Sequence, residues 1–415
     1  MRRSKVSRSR GRDGDAYPRE GAPIVSDLPQ LPFPRRDRLA ISPMFRELRA
    51  SSPITRVRTG TGDEAWLVTS YEEVRSLIGD ERLGRTHPDP ENAPRVSHAI
   101  IAGGPRGDFD KEKADHERMR KMLAPAFSAR RMRVLAGHVQ ELVDELLDEM
   151  AAKRPPADLH AHLSVPLPAL VISELLGVPR EDRERFRALA DTMTDMANPG
   201  RAQSALAELS GYIHELMVEK RRDPAEDVFS DMATMDAADD EIAELGAMLL
   251  FAGHETTVNR IDHGVAYLLT DPAQRDALVA DPSLVPGAVE EILRMTAPSD
   301  LGVTRWARTD VQVGDVTIRK GDAVIISTMA ANRDDRVFED PDTFDIHRQG
   351  EEPHLAFAHG MHYCIGASLA RVELRSVFGT LFTRFPSLAL AVPFAEVPIR
   401  VDRATGGFEA MPVVW

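Results

Sequence analysis

The chain has 415 residues, 52 Lys and Arg against 66 Asp and Glu for a formal net charge of −14, and 42% hydrophobic residues. That much apolar material excludes a disordered polymer, and the acidic balance argues against nucleic acid as a partner, because duplex binding draws on net positive charge to release phosphate counterions. A single cysteine, Cys364, excludes an intramolecular disulfide framework and any zinc site built from several thiolates.

In chain order, Arg2, Arg3, Lys5, Arg8, Arg10 and Arg12 open the sequence with no apolar run behind them. They read as a disordered basic extension over residues 1–35 rather than as a signal peptide. The longest charge-free apolar stretch, 160–173, holds two prolines and is shorter than the ~20 residues a bilayer span needs. A cytoplasmic, unanchored monomer is expected. Residues 36–415 show no break in composition and read as one domain.

Residues 54–70, ITRVRTGTGDEAWLVTS, alternate on either side of a Gly-Thr-Gly-Asp turn and predict a β-hairpin. From about residue 113 to 295 helical spacing dominates. Val139, Leu142, Val143, Leu146 and Leu147 recur at three- and four-residue steps, as do Leu206, Leu209, Ile213, Leu216 and Met217. Asp158 and the Pro-Arg-Glu-Asp run after Gly177 mark helix boundaries. A second hairpin is expected where VQV and VTI flank Gly314 and Asp315. Helices throughout with small antiparallel sheets make a mostly α (α+β) single domain.

The most informative segment is FAHGMHYCIGASLARVEL, 357–374. Gly360 and Gly366 relax the backbone around Cys364, and ASLARVEL reads as a helix. Cys364 therefore sits at a helix N-terminus, where free N–H groups and the helix dipole favour a thiolate over a thiol. A thiolate is a nucleophile or a metal ligand; a lone cysteine is also often a small buried hydrophobe. His362 lies near enough to serve as a base, but no hydrolase-type oxyanion pattern follows it.

Phe357, Gly360, His362, Cys364 and Gly366 match the pattern F-G-x-G-x-H-x-C-x-G, and the segment resembles the haem-ligand loop of the cytochrome P-450 superfamily. Ala358 stands where that pattern has glycine. Its methyl is tolerable if the backbone there does not need positive φ. Three further segments resemble the same family, so that the likeness covers roughly residues 50–415. In LLFAGHETTVNR, 249–260, the resemblance implies that Ala252 and Gly253 leave room above haem. Thr256 bonds a carbonyl one turn back, and with Glu255 it feeds protons toward bound dioxygen. In GAVEEILRM, Glu291 and Arg294 share a helix face. With Arg348 of the stretch that also holds Pro341 and Phe344, they are implied to form a buried network under the cysteine loop. In DHERMRKML, His116 and Arg120 lie one turn apart and, with Arg305 and His362, are implied to hold the haem propionates.

The resemblance thus implies a fold of helices around haem b, with Cys364 on the iron and Phe357, Gly360 and Gly366 shaping its loop. It implies a monooxygenase that activates O2 to hydroxylate a largely apolar small molecule, in secondary-metabolite biosynthesis. The chain has no Gly-rich dinucleotide fingerprint and no cysteines for an iron–sulfur cluster, so electrons from NAD(P)H are expected through a separate ferredoxin and ferredoxin reductase. Arg118, Lys121, Arg130, Arg131 and Arg133 offer a basic patch for an acidic ferredoxin. Val96, Met193, Met196, Met248, Leu249, Leu301, Val303 and Phe408 are expected around the substrate, with the loop 86–110 as a mobile lid. Two alternatives stay open: oxidative coupling of an aromatic or diketopiperazine-like substrate without oxygen insertion, and a non-catalytic haem-thiolate sensor.

Overall fold

A computed structural model describes residues 28–99, 103–193, 197–235, 237–297, 302–400 and 407–415. The predicted helices form. The first apolar stripe lies in the helix Ala129–Ala151, where Val139, Val143, Leu146 and Leu147 are buried. The second lies in Pro199–Arg222, burying Leu209, Ile213, Leu216 and Met217. Ser128 caps the former through its side chain. Asp158 ends a two-residue strand and receives the Met411 N–H at 2.8 Å, and a π-helical turn over His160–Ser164 then leads into the helix Pro166–Leu176. That helix stops at Gly177, whose φ of 86° is the left-handed conformation glycine adopts without a Cβ penalty.

Both hairpins form as the turn residues predict. Ile54–Arg58 pairs with Glu64–Val68, and Val311–Val313 with Val316–Ile318. Their larger context is set elsewhere: Glu64–Val68 lies parallel to Ala323–Ile326, which pairs antiparallel with Val303–Ala307, giving a five-stranded sheet closed by Leu83–Gly84. A three-stranded sheet joins Ala157–Asp158, Pro412–Val414 and Ala389–Leu390.

The 32-residue helix Asp239–Thr270, hereafter the central helix, runs through the largest apolar cluster. It is apolar on most sides, as a helix surrounded by other helices must be. The helices Pro166–Leu176 and Pro199–Arg222 pack along it, and so do the Glu-Arg helix Val285–Met295 and the post-cysteine helix Ala367–Arg384. The central, Glu-Arg and post-cysteine helices meet at Gly264, where a Cβ would stand 2.9 Å from Ile292 Cδ1 and would also strike the Phe378 ring. Among the described residues, no helix is long and apolar enough to cross a membrane.

The expected start of the domain at residue 36 moves toward the N-terminus. Leu31 and Phe33 are buried with Phe45, and the Leu31 N–H donates to Arg58 O at 2.8 Å. Apolar side chains between prolines that preset an extended backbone suit them to a sheet margin. The rest of the expected extension, residues 1–27, lies outside the described residues.

Candidate active site

The cysteine loop is held by short local bonds. Cys364 N–H donates to Phe357 O at 2.9 Å, Tyr363 N–H to Gly360 O at 3.0 Å and Ala358 N–H to Leu355 O at 3.0 Å. Gly360 has φ 68° and Ala358 has φ 62°. Positive φ is therefore required where the family pattern has glycine, so the condition under which an alanine methyl would be free of strain is not met. The left-handed conformation costs a residue with a Cβ roughly 1–2 kcal/mol.

The helix after the cysteine begins at Ala367 with Gly366 as its cap, three residues past the sulfur-bearing position. The expected thiolate-favouring helix terminus is thus only part of the balance. Cys364 keeps an accessible face, but protein surrounds its other sides, and that burial pushes its thiol up. The Gly366 N–H and the charges of Arg120, Arg260 and Arg371 pull it back down.

Behind the loop, a fully paired network forms. Arg294 reaches both oxygens of Glu291, at 2.7 and 2.8 Å, and Arg348 Nε reaches Glu291 Oε1 at 3.1 Å. Glu291 and Arg294 are 3% and 2% exposed, so bare charges there would be costly. The remaining donors go to the carbonyls of Asn332 and Pro341, both at 2.8 Å, from Arg294, and to those of Glu339 and Thr343 from Arg348. Asn332 Oδ1 accepts from Leu355 N–H at 2.7 Å, two residues before Phe357, which ties the network to the cysteine loop.

A second pair escaped the sequence reading. Glu290 accepts from Arg371 at 2.7 and 2.8 Å and lies 3.1 Å from His354 Nε2. Partial burial pushes its carboxyl up, but these hydrogen bonds outweigh burial and hold it at about 2. The Arg371 guanidinium also lies 4.7 Å over the Phe357 ring. The signal was the doubled acid before Ile292, which gives the helix two neighbouring carboxylates for two arginine partners.

In front of the loop the charge is not balanced. The rings of His116 and His362 stand 4.5 Å apart. Arg305 is 7% exposed, donates to Thr304 O, and leaves its buried Nε without a partner. Burial lowers Arg305 to about 10, and the nearby Arg85 guanidinium adds to this. Burial, then Arg305, His116 and Arg85, drives His362 down to about 3. Glu112, the neighbouring carboxylate, is committed to Arg85 N–H at 2.5 Å, to the Thr86 hydroxyl and to Arg308 at 2.8 Å. Arg120, partly exposed, donates to Tyr363 O at 3.0 Å. Such a cluster, with a buried donor unmet, fits a ligand carrying carboxylates beside Cys364. Arg85 was also missed, since a lone arginine in a loop has no sequence signature.

On the central helix, Thr256 Oγ1 donates to Ala252 O at 2.7 Å, and Ala252 is exposed. Gly253 has another reason than clearance for a ligand: a Cβ there would lie 3.1 Å from Ile172 Cδ1, so glycine lets the helix Pro166–Leu176 approach. Glu255 is 1% exposed and lies 3.6 Å from Arg400, which lies 3.4 Å from Asp191. Arg400, Asp191 and His160 line a polar cavity of about 730 Å³.

The residues expected around a substrate fall in different apolar clusters. Met193, Met248, Leu249 and Phe408 belong to the main apolar cluster, Val96 to a separate one with Trp306, and Val303 borders a third. Phe408 is 1% exposed and packs 5.1 Å from the His263 ring. Leu301, Met196 and residues 100–102 of the expected lid lie outside the described residues. In the basic patch, Arg118 pairs with Glu241 and Arg131 with Asp231, while Lys121, Arg130 and Arg133 are exposed.

The profile of the cytochrome P-450 family matches residues 200–390. Over 94% of its length the chain is 43% identical to the whole of a pentalenolactone synthase from Streptomyces exfoliatus. It is 42% identical over 94% to nocardicin C N-oxygenase of Nocardia uniformis subsp. tsuyamanensis, covering 99% of that protein. Among solved structures, the polyene macrolide antibiotic pimaricin epoxidase PimD superposes with a TM-score of 0.85, at 39% identity over 94% of this chain and all of that one. Relatives of this identity and coverage, together with a loop, a central helix and a buried network in the expected arrangement, show that the chain belongs to the cytochrome P-450 family and is a monooxygenase of that family.

Proposed function

We propose that the protein hydroxylates a largely apolar small molecule in secondary-metabolite biosynthesis, with haem b held by Cys364. The observation that carries this reading is the pairing of a cysteine with an unbalanced cationic cluster, Arg305 above all, whose orphan buried Nε calls for an anion. The residues fit haem: Cys364 would ligate the iron, and Arg305, His116, Arg120 and His362 would take its two carboxylates. When bound, haem supplies the iron at which dioxygen is activated.

The chain's own groups would then orient and deliver. Thr256 holds its hydroxyl proton toward Ala252 O and can hand it outward on the exposed side of the helix. Glu255, buried 3.6 Å from Arg400, which lines the polar cavity, would take protons through that side chain and pass them to its neighbour Thr256. Electrons would come from NAD(P)H through a ferredoxin and its reductase, with Lys121, Arg130 and Arg133 as docking cations, to a cytoplasmic monomer.

The test is a screen of the purified haem protein against candidate metabolites for a ligand-induced spin shift, followed by product mass. Gain of one oxygen supports hydroxylation. Loss of two hydrogens would replace it with oxidative coupling, and a ferrous carbon-monoxide complex lacking the thiolate-type Soret band would overturn Cys364 as the ligand.

A further inference from the structure

The polar cavity of about 730 Å³ beside Glu255 is walled by the π-helical turn His160–Ser164 with the start of the helix after it, by the helix Arg183–Thr192, and by the C-terminal stretch that holds Arg400. A polar cavity of that size has room for several water molecules. His160, in its wall, is 6% exposed, and its Nδ1 lies 2.8 Å from Oδ2 of Asp262, which is 0% exposed on the central helix. The other Asp262 oxygen is buried without a partner, so the imidazole carries the whole task of compensating that carboxylate. A carboxylate on Nδ1–H also fixes the tautomer and leaves Nε2 to take up or release a proton. Nε2 makes no hydrogen bond to protein among the described residues.

The charged groups around this ring come from every wall. Burial pushes the imidazolium toward its neutral form, but Asp262 outweighs burial, and Asp158 adds to it against Arg400. The ring therefore stays protonated to higher pH than a free imidazole. Across the cavity stand the acids Glu184, Asp191 and Glu409 and the cations Arg187 and Arg400, with Arg187 paired to Glu184 and Arg400 to Asp191. His254, on the central helix, is buried and driven down, with its Nε2 3.2 Å from Val165 O. The 3.6 Å between Arg400 and Glu255 is longer than a direct hydrogen bond and suits a water-bridged one.

We propose that His160, held by Asp262, loads protons into the cavity and, past Arg400, onto Glu255, which makes it a positioning residue for proton delivery. The inference rests on the reading above in which Glu255 hands protons to Thr256. The Nε2–H of the imidazolium gives its proton to cavity water, and a proton passes from water to the Glu255 carboxylate. His160 is left neutral with Nδ1–H still on Asp262, and it regains a proton from solvent on the side of the exposed Glu184 and Glu409. A pair that merely pinned the π-helical turn to the central helix would affect stability without giving the reaction a histidine titration.

The experiment follows dioxygen consumption by the haem-loaded protein with NADPH, a plant-type ferredoxin and its reductase, from about pH 6 to 9, the range that brackets a raised imidazole. Wild type is compared with His160→Asn, Asp262→Asn and Glu255→Gln. His160→Asn keeps an amide donor for Asp262 and cannot titrate. Independently of turnover, the His160 titration is read in the ferrous carbon-monoxide form as the histidine proton resonance that His160→Asn lacks. Wild-type consumption is expected to fall as pH rises through that titration. His160→Asn is expected to be about tenfold slower on the acid side and to lose the fall; cavity water keeps this below the roughly 100- to 10,000-fold of a direct proton donor. Asp262→Asn is expected to move the resonance and the rate midpoint down together by about one unit or more. That comparison alone decides the matter if His160→Asn does not fold, the resonance then being identified by its shift. A His160→Asn rate within twofold of wild type would overturn the proposal, as would an equal loss at every pH or a rate midpoint that stays while the resonance moves. An unchanged Glu255→Gln would refute the role of Glu255 itself, whereas a slow Glu255→Gln beside an unchanged His160→Asn would refute only the role of His160.

Discussion

Glu291, Arg294 and Arg348 form a closed set behind the cysteine loop, with the acid reached by both arginines and their spare donors placed on backbone carbonyls. Arg85, His116, Arg305 and His362 form an open set in front of it, where burial and mutual repulsion depress His362 and Arg305 and the nearby Glu112 is engaged elsewhere. The two sets use the same residue types. A paired buried charge is scaffold, because removing either partner strands the other; an unpaired buried cation costs stability until an anion arrives, and so marks a binding site.

The largest effect should come from breaking the closed set. Arg294→Met leaves Glu291 buried with Arg348 and the Asp345 N–H and is expected to cost about 3–5 kcal/mol. Chemical denaturation measures it, and haem uptake should be lost with it because Asn332 ties the set to Leu355. If stability stays within about 1 kcal/mol of wild type, the closed set is not the scaffold.

Arg305→Met should act in two directions. Without haem it removes an unmet buried donor and should leave stability unchanged or higher. With haem it removes a charge-assisted hydrogen bond of about 1.5–3 kcal/mol, so that haem transfer to a scavenger protein should favour loss by about 10- to 100-fold. Equal losses in both states would erase the distinction between the two sets.

Glu290 sharpens the comparison through pH. Its carboxyl is held at about 2 against an ordinary 4.5, so its contribution is complete above about pH 4.5 and disappears as pH falls toward 2. The stability gap between wild type and Glu290→Gln should therefore be widest at neutral pH and close on acidification; a constant gap would show that the carboxylate charge is not what Arg371 and His354 recognise.

The smallest effect concerns Ala358. Replacing it with glycine removes roughly 1–2 kcal/mol of left-handed strain but adds unfolded-state entropy worth about 0.4–1 kcal/mol. Ala358→Gly should stabilise the loop by about 0.5 kcal/mol, visible as a small rise in melting temperature.

Much of the site was legible because its chemistry is local. The spacing of Cys364, Gly360 and Gly366, the step from Glu291 to Arg294, and the Thr256 bond to Ala252 all fall within a helical turn or a short loop. Arg85, Glu290 and Arg400 were not legible. Their significance depends on partners far along the chain, such as Arg371 for Glu290 and Glu255 for Arg400.

From the sequence alone come the helices, the two hairpins, the cysteine loop and the family, because periodicity, turn residues and short motifs report the backbone's near neighbours. Only the tertiary structure decided that Ala358 takes a positive φ, that Gly253 admits Ile172 and that some buried arginines have acids while others have none. Those outcomes rest on which distant segments are pressed together, and on how desolvation and Coulomb attraction balance once they are.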